Sequence, residues 1–320
     1  MRALRWTFCL AAAILLLCIP LTGERFYMYL AIQVLILALF AMGFNLLFGY
    51  TGLLSFGHAG FYAAGAYATG LLLMRTPLSL LPSILGGALV AGGLGVVIGF
   101  FCVRHTRIYF AMLTLAFGMM VYALAFDWKS VTGGDDGLIG IPRGSLWIPG
   151  MGAVKMNALW AYYYLVLAIT AAGLGMIHRV VHSPFGLVLQ GIRENENRAA
   201  FAGVPVRRYR LAAFALSSFI SGLAGAMVAP LENTVAPTAA HWTKSAAPVL
   251  ATLLGGIHTF AGPMVGAFLF YVIQEFIERM TEFWLLGFGL VLLVLVLGFR
   301  GGVVGYYEAH IRPALCRRLG

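Results

Sequence analysis

Apolar residues run along this chain in long blocks, not in the alternating or three-to-four-residue spacing of a soluble domain. Ten such blocks stand out, and a helix needs about 20 apolar residues to cross the hydrocarbon core of a bilayer. The pattern therefore predicts an all-α, polytopic integral membrane protein with about ten transmembrane helices. The predicted spans are residues 7–22, 27–48, 54–74, 80–103, 108–126, 157–177, 211–230, 245–256, 264–277 and 283–299.

Two of these blocks differ from an ordinary span. The block 245–256 is so short that its helix would rise only about 18 Å, so we expect it to cross part of the membrane. The first block follows Arg2 and Arg5, as in a signal peptide. It lacks a small-residue cleavage site, and we expect the first helix to be retained.

The polar stretches between the blocks are too short for a soluble domain. Residues 1–320 are therefore predicted to form a single transmembrane domain. Its main stretches outside the membrane are an external loop at 127–156, a cytoplasmic loop at 178–210 and a cytoplasmic basic tail at 300–320.

Composition and charge agree with a membrane protein and set its orientation. The chain is 61% hydrophobic and 10% charged, whereas a soluble domain is about 25% charged. We attribute the net charge of +10 to basic loops beside anionic lipid, because cytoplasmic loops are rich in Lys and Arg. With 178–210 inside and alternating spans, both termini are cytoplasmic. Fourteen arginines then lie inside, and seven basic residues, Lys244 among them, lie outside.

Several classes of chemistry lack their usual residues. No predicted span carries a charge at its middle, which argues against a self-powered secondary transporter, because coupled carriers usually need such groups. No Gly-Lys-Ser/Thr phosphate loop is present. We therefore expect no enzyme activity and no cofactor or metal in this chain; ATP and magnesium would be bound by partner subunits. The four cysteines show no spacing typical of disulfides or metal sites.

A charged stretch interrupts the apolar pattern at 183–210, with the sequence SPFGLVLQGIRENENRAAFAGVPVRRYR. Ser183 is a good N-cap, Pro184 suits the first helical position, and Gly203 and Pro205 are stop signals. The spacing predicts one amphipathic helix that is too polar to span. Periodicity alone leaves two interpretations open: a helix resting on lipid headgroups or a helix docking into a partner.

This stretch continues into LAAFALSSFISGLAGAM and resembles a conserved block of branched-chain amino acid ABC transporter permeases, especially of the LivM type. Three further stretches resemble blocks of the same family: FNLLFGYTGLLSFGHAGFYAAGAYA (44–68), RIYFAMLTLAFGMMVYAL with VTGGDDGL (107–138) and LLGGIHTFAGPMVGAFL (253–269). The four blocks occur in the family's order over about residues 25–300. The chain departs from the family pattern at Ile257 and His258, in a predicted cytoplasmic turn.

The resemblance implies a type II importer in the bacterial inner membrane. Its permease pairs with a second permease, two cytoplasmic ATPases and a periplasmic binding protein. The stretch 183–203 would then be the coupling helix, with Phe185, Leu187 and Leu189 in an ATPase groove. The implied coupling residues are Pro184, Phe185, Gly186, Leu189, Arg193, Glu194, Asn195 and Gly203. The alternative is a secondary transporter or channel for small polar solutes that acts without an ATPase.

The remaining candidates concern cargo and the external face. Polar residues in the predicted spans could line a pathway, although each could equally be a hydrogen bond between helices. They are Asn45, Ser55, His58, Tyr62, Tyr109 and Thr114. Asp135 and Asp136 could contact a binding protein or simply lie in a solvated turn. The cargo stays open among branched-chain and other amino acids, amides, urea and small carboxylates.

Overall fold

The computed structural model describes residues 16–148, 152–156 and 158–280, followed by 286, 287, 289, 290, 293, 298 and 301–306. Most of the predicted spans 7–22 and 283–299 and of the tail 300–320 lies outside these residues. The described part is a bundle of helices with two small pairs of strands. The helices are α1 (Arg25–Thr51), α2 (His58–Arg75), α3 (Leu80–Cys102), α4 (Arg107–Asp127), α5 (Lys129–Thr132), α6 (Leu159–Val181), α7 (Pro184–Glu194), α8 (Glu196–Phe201), α9 (Val206–Glu232), α10 (Trp242–Gly255), α11 (Gly262–Met280) and α12 (Gly302–Tyr306).

Five of the described helices, α1, α3, α4, α6 and α9, are long and apolar enough to cross a membrane. The eight spans predicted between residues 27 and 277 each correspond to a described helix, with ends that differ by a few residues. The prediction of an all-α, multi-pass membrane protein is confirmed at this level. The physical reason is that apolar runs in lipid must satisfy their backbone hydrogen bonds within one segment.

The bundle has two distinct ends. The basic end carries residues 182–205 between α6 and α9, and α1 ends there. The loop end carries residues 128–148, and α1 begins there. The strands lie at the loop end: β1 (Leu138–Ile139) pairs with β4 (Thr234–Val235), and β2 (Ser145–Ile148) forms an antiparallel hairpin with β3 (Gly152–Lys155).

Helix α9 lies at the centre of the bundle and packs against α1, α2 and α3. The approach is close because glycines face one another. A Cβ at Gly65 would overlap the carbonyl oxygen of Gly222, and a Cβ at Gly225 would overlap that of Tyr62. Small residues allow this contact, which is how helices associate in lipid without a hydrophobic driving force between them.

Two helices begin part-way along the bundle and not at either of its ends. The backbone N–H of Ala59, at the start of α2, donates to the Ser245 hydroxyl near the start of α10, at 2.9 Å. Helix α10 has 14 residues, a rise of about 21 Å, and it runs from this interior point to the basic end. The expectation that this helix crosses only part of the membrane stays a prediction.

Candidate functional site

The coupling segment, residues 183–203, is two helices and not the single helix that its sequence predicts. Asn195 has φ −157° and ψ 102°, which breaks the helix, and its side chain caps α8 by accepting from the N–H of Arg198 at 2.9 Å. Asparagine competes for backbone hydrogen bonds in this way, so it favours a cap over a helix interior. The break points α7 and α8 in different directions.

The two helices divide their apolar residues between the bundle and the surface. Leu189 and Ile192 of α7 are fully buried against the bundle, and Phe185 stacks on Tyr209 at 5.4 Å between ring centroids. The large exposed apolar side chains are instead Leu187, at 66%, and Phe201, at 93%. A partner at this surface would contact these two side chains, not Leu189.

The other predicted coupling residues have varied surroundings. Gly186 is buried where a Cβ would overlap the Val181 carbonyl oxygen, so α7 can pack against the end of α6 only with glycine there. Pro184, Glu194 and Asn195 are exposed. Gly203 has φ +83°, a conformation that favours glycine.

Arg193 joins the coupling segment to two other parts of the basic end. Its Nη1 donates to the Gly49 carbonyl oxygen near the end of α1, and it lies 3.2 Å from Nδ1 of His258 in the turn before α11. A Cβ at Gly52 would lie 2.9 Å from the Arg193 Cγ. A displacement of α7 would therefore act directly on α1 and on the turn 256–261.

A second connection fixes α8 to α9. Arg210 is nearly buried and forms a two-pronged ion pair with Glu196, with N–O distances of 2.7 and 2.9 Å. A two-pronged ion pair of this kind fixes the relative orientation of the two side chains as well as the distance between them. The coupling segment is thus held by charged contacts at both of its helices.

His58 lies at the centre of a buried hydrogen-bond network, here called the His58 node, in which every polar group has a partner. Its Nε2 is 2.8 Å from the Ser217 hydroxyl and its Nδ1 is 2.9 Å from the Ser55 hydroxyl. Because Ser217 donates its one proton to the Gly43 carbonyl oxygen at 2.6 Å, it must accept from His58 Nε2–H. Nδ1 then accepts from Ser55. The node connects α1, α2 and α9, and both ring nitrogens of His58 are satisfied.

The other predicted pathway residues do not form one group. Thr114 is buried and donates to the Ala111 carbonyl oxygen at 2.8 Å, with its backbone against Gly57. Asn45 is buried, and within the described chain its side-chain amide has no hydrogen-bond partner. Tyr109 is 75% exposed on α4 and lies apart from the rest. Tyr62 lines a cavity.

This cavity, of about 170 Å³, lies in the interior of the bundle between α1, α2, α10 and α11. It contains Lys244, whose Nζ lies 5.9 Å from the centre of the Tyr62 ring. The walls from α1, Ile36 to Phe40, lie about 17 to 23 Å from the loop end of a helix about 40 Å long. The full lining is Ile36, Leu37, Phe40, Tyr62, Lys244, Ala247, Phe270, Tyr271 and Gln274.

The structure places Lys244 beside this cavity, at the level of Ile36 to Phe40 of α1, and not at the loop end where its position in the sequence suggests it. The sequence places Lys244 before an apolar block, as loop residues are placed. Because α10 begins inside the bundle, that position is half-way along α1. The one available signal was the shortness of the block 245–256. A helix of that length cannot extend from one end of the bundle to the other, so the residues just before it need not lie at the loop end.

A polar cluster extends from the cavity towards the loop end. The Tyr271 hydroxyl, which lines the cavity, donates to Oε1 of Gln33 at 3.0 Å. Gln33 Nε2 donates to Oε1 of Glu232 at 2.7 Å, and the Tyr29 hydroxyl donates to the same oxygen at 2.6 Å. Sequence reasoning missed this cluster, because its members come from three separate helices.

Asp135 and Asp136 are exposed in a short 3₁₀ turn, Gly134–Asp136, at the loop end. This turn packs beside a second one at Pro237–Ala240. Within the described residues no group of three or more His, Cys, Asp or Glu side chains could hold a metal ion. The two aspartates are free to form a surface contact, and their predicted role stays a prediction.

Comparison with known proteins places this architecture in a family. Residues 26–297 match the family described as branched-chain amino acid transport system / permease component. The chain belongs to this family. The match is to a family of membrane permease components, and it favours a transporter subunit over a transporter that acts alone.

Individual relatives agree with the family match. The chain is 27% identical over 308 residues to the high-affinity branched-chain amino acid transport system permease protein LivM of Escherichia coli, covering 91% of this chain and 72% of the relative. It is 23% identical over 292 residues to the permease protein LivH of Salmonella typhimurium, covering 85% and 92%. An L-arabinose ABC transporter permease, AraH of Azospirillum brasilense, is 27% identical over 202 residues, covering 62% and 56%. No solved structure matches the chain.

Proposed function

We propose that this chain is the membrane-spanning permease subunit of an ABC importer that carries branched-chain or related amino acids across a bacterial inner membrane. A second permease, two cytoplasmic ATPases that bind ATP and magnesium, and a periplasmic binding protein complete the transporter. The observation that carries the proposal is the family match over 26–297. The relatives named LivM and LivH support the substrate class and the pairing of two permeases.

The proposed topology has ten spans with both termini in the cytoplasm. It is supported by the charge difference between the two ends of the bundle. Arginines predominate at the basic end, whereas the loop end has about as many acidic as basic residues, and positive loops stay in the cytoplasm. The basic end is therefore the cytoplasmic end, and the coupling segment faces the ATPases.

The mechanism uses the coupling segment as a lever. Leu187 and Phe201 fill apolar grooves of the ATPases, and Glu194 contacts them from the exposed flank of α7. When the ATPases close, α7 moves, and Arg193 transfers this displacement to α1 and to the turn 256–261. Packed helices respond by shifting between discrete arrangements, which closes the pathway on one side as it opens on the other.

The coupling surface predicts a specific assembly defect. Leu187→Arg places a charge in the apolar contact and should reduce ATPase co-purification at least tenfold, because an unpaired charge in a buried interface is costly. Ile139→Arg is the matched control, since Ile139 is 64% exposed and lies at the loop end. It should leave co-purification unchanged. Equal recovery of the ATPases with both variants would contradict the docking role.

Function is tested by uptake. A strain lacking this gene should lose ATP-dependent uptake of radiolabelled L-leucine and regain it with the wild-type chain. Uptake that persists without the ATPases, driven by an ion gradient in proteoliposomes, would instead support the transporter that acts alone. Asn195→Cys should react with an impermeant thiol reagent from the cytoplasmic side, and labelling from the periplasm would overturn the topology.

The loop end is the proposed docking face for the binding protein. Asp135 and Asp136 are exposed on its surface, where they can pair with basic residues of that protein. The double change to Asn should weaken stimulation of ATP hydrolysis by the loaded binding protein and make it less sensitive to salt, because exposed ion pairs are screened by salt.

A further inference from the structure

Lys244 is an exposed charged residue about half-way along the bundle, and it has no counter-ion in contact within the described residues. Its ammonium faces the Tyr62 ring at 5.9 Å, and within the described chain no carboxylate lies within 4 Å of it. A charge at mid-membrane is costly and marks a pathway or a ligand site by default. The side chain is exposed to the cavity of about 170 Å³.

Glu232 carries the opposite charge and lies beyond the cavity lining, joined to the cavity wall by a chain of hydrogen bonds. Its Oε1 accepts from Tyr29 and Gln33, and no hydrogen bond to Oε2 occurs within the described residues. Gln33 is in turn held by Tyr271 of the cavity wall. Within the described residues Lys244 and Glu232 form no ion pair with each other.

The rest of the cavity wall combines aliphatic and aromatic side chains with the polar groups of Tyr271 and Gln274. Phe40 and Tyr62 pack together at 4.8 Å between ring centroids, and Phe270 faces the cavity from α11. A cavity of about 150 Å³ holds a molecule the size of benzene, so the space suits a short aliphatic side chain. The aliphatic and aromatic walls give apolar contact, and Lys244 supplies a positive charge.

We propose that this cavity is a transit site for the amino acid zwitterion, in which Lys244 binds the α-carboxylate and Glu232 draws the α-ammonium. The inference rests on the proposed function and names its substrate contacts. Each charge of the zwitterion then has a complement, and charge-assisted hydrogen bonds are the strong ones. The aliphatic side chain lies against Phe40 and Phe270.

The test uses the transporter assembled with its second permease and ATPases in nanodiscs, without the binding protein. Saturable binding of radiolabelled L-leucine is measured by scintillation proximity. Lys244→Gln should weaken binding at least about tenfold, since a hydrogen bond to a charged group is lost. Lys244→Arg, which keeps the charge, should restore part of it. Lys129→Gln, an exposed lysine at the loop end, should change neither leucine binding nor ATP turnover.

Competition by analogues separates a ligand contact from a structural role. The wild type should reject 4-methylpentanoate, which has the leucine skeleton without the ammonium, and isoamylamine, which lacks the carboxylate. Glu232→Gln should weaken leucine and strengthen 4-methylpentanoate, whereas Lys244→Gln should weaken 4-methylpentanoate further. If Lys244 and Glu232 had only structural roles, their substitutions would not change the affinity for 4-methylpentanoate in opposite directions.

Three experimental outcomes would contradict the transit site. Leucine binding and analogue ranking within twofold of wild type in an assembled Lys244→Gln complex would overturn the transit site. So would a wild type that takes up leucine but binds none of it under these conditions. A wild type that neither binds nor takes up leucine would overturn the proposed substrate class itself, and this inference with it.

Discussion

His58 and Lys244 are two ionisable side chains inside the same bundle, and their surroundings are opposite. His58 is fully buried, and both of its ring nitrogens are hydrogen-bonded to serines. Lys244 faces a cavity and the ring of Tyr62, and within the described residues it has no ion-pair partner. The sequence marks His58 as a pathway residue and Lys244 as a loop residue, and the contacts suggest the reverse roles.

The difference shows how to separate structural from functional polar groups in a membrane bundle. A polar group that is completely satisfied within its own chain stabilises a helix contact and has nothing left to offer a ligand. A polar group left unpaired beside a cavity reduces stability and is retained for another reason. The predictions below measure this contrast as stability.

The largest effect is expected at the His58 node. His58→Ala removes a buried ring that connects α1, α2 and α9 and leaves the Ser55 hydroxyl without its partner. The free energy of unfolding, measured by SDS titration in mixed micelles, should fall by about 2–4 kcal/mol. Tyr109→Ala, on the exposed face of α4, should change it by less than about 1 kcal/mol. Equal losses from the two variants would remove the distinction between node and surface.

A smaller effect is expected from Ser217→Ala. This change removes the bond to the Gly43 carbonyl oxygen and the acceptor for His58, but it leaves the packing almost intact. Hydrogen bonds between membrane helices contribute about 0.6 kcal/mol on average and at most about 1.7, so we expect a loss of about 1–2 kcal/mol in the same titration. Adding Ser217→Ala to His58→Ala should cost less than the sum, because the two share one node.

The smallest change, with the opposite sign, is expected at Lys244. Lys244→Met keeps the length of the side chain and removes an unpaired charge from the bundle interior. The free energy of unfolding should stay constant or rise by up to about 1 kcal/mol, while leucine uptake falls. A loss of stability comparable to that of His58→Ala would show that Lys244 is a structural residue, and would contradict the proposed difference between His58 and Lys244.

The course of the helices could be read from the sequence to within a few residues. Apolar runs have one stable form in lipid, so the positions of the eight helices predicted from 27–48 to 264–277 followed from hydropathy. The break at Asn195 was not predicted, because a capping side chain and a helix-interior side chain look the same in a periodic pattern. The direction in which Leu187 and Leu189 point depends on what α7 packs against.

The sequence by itself determined the class of protein, the order of its helices, its family and the charged segment at the basic end, because these depend on residues adjacent in the chain. The tertiary structure alone decided which polar groups are satisfied and which are open. The His58 node draws on α1, α2 and α9, and the Lys244 cavity on α1, α2, α10 and α11. Such a site depends on the depth at which each helix starts, and depth is set by packing between distant segments.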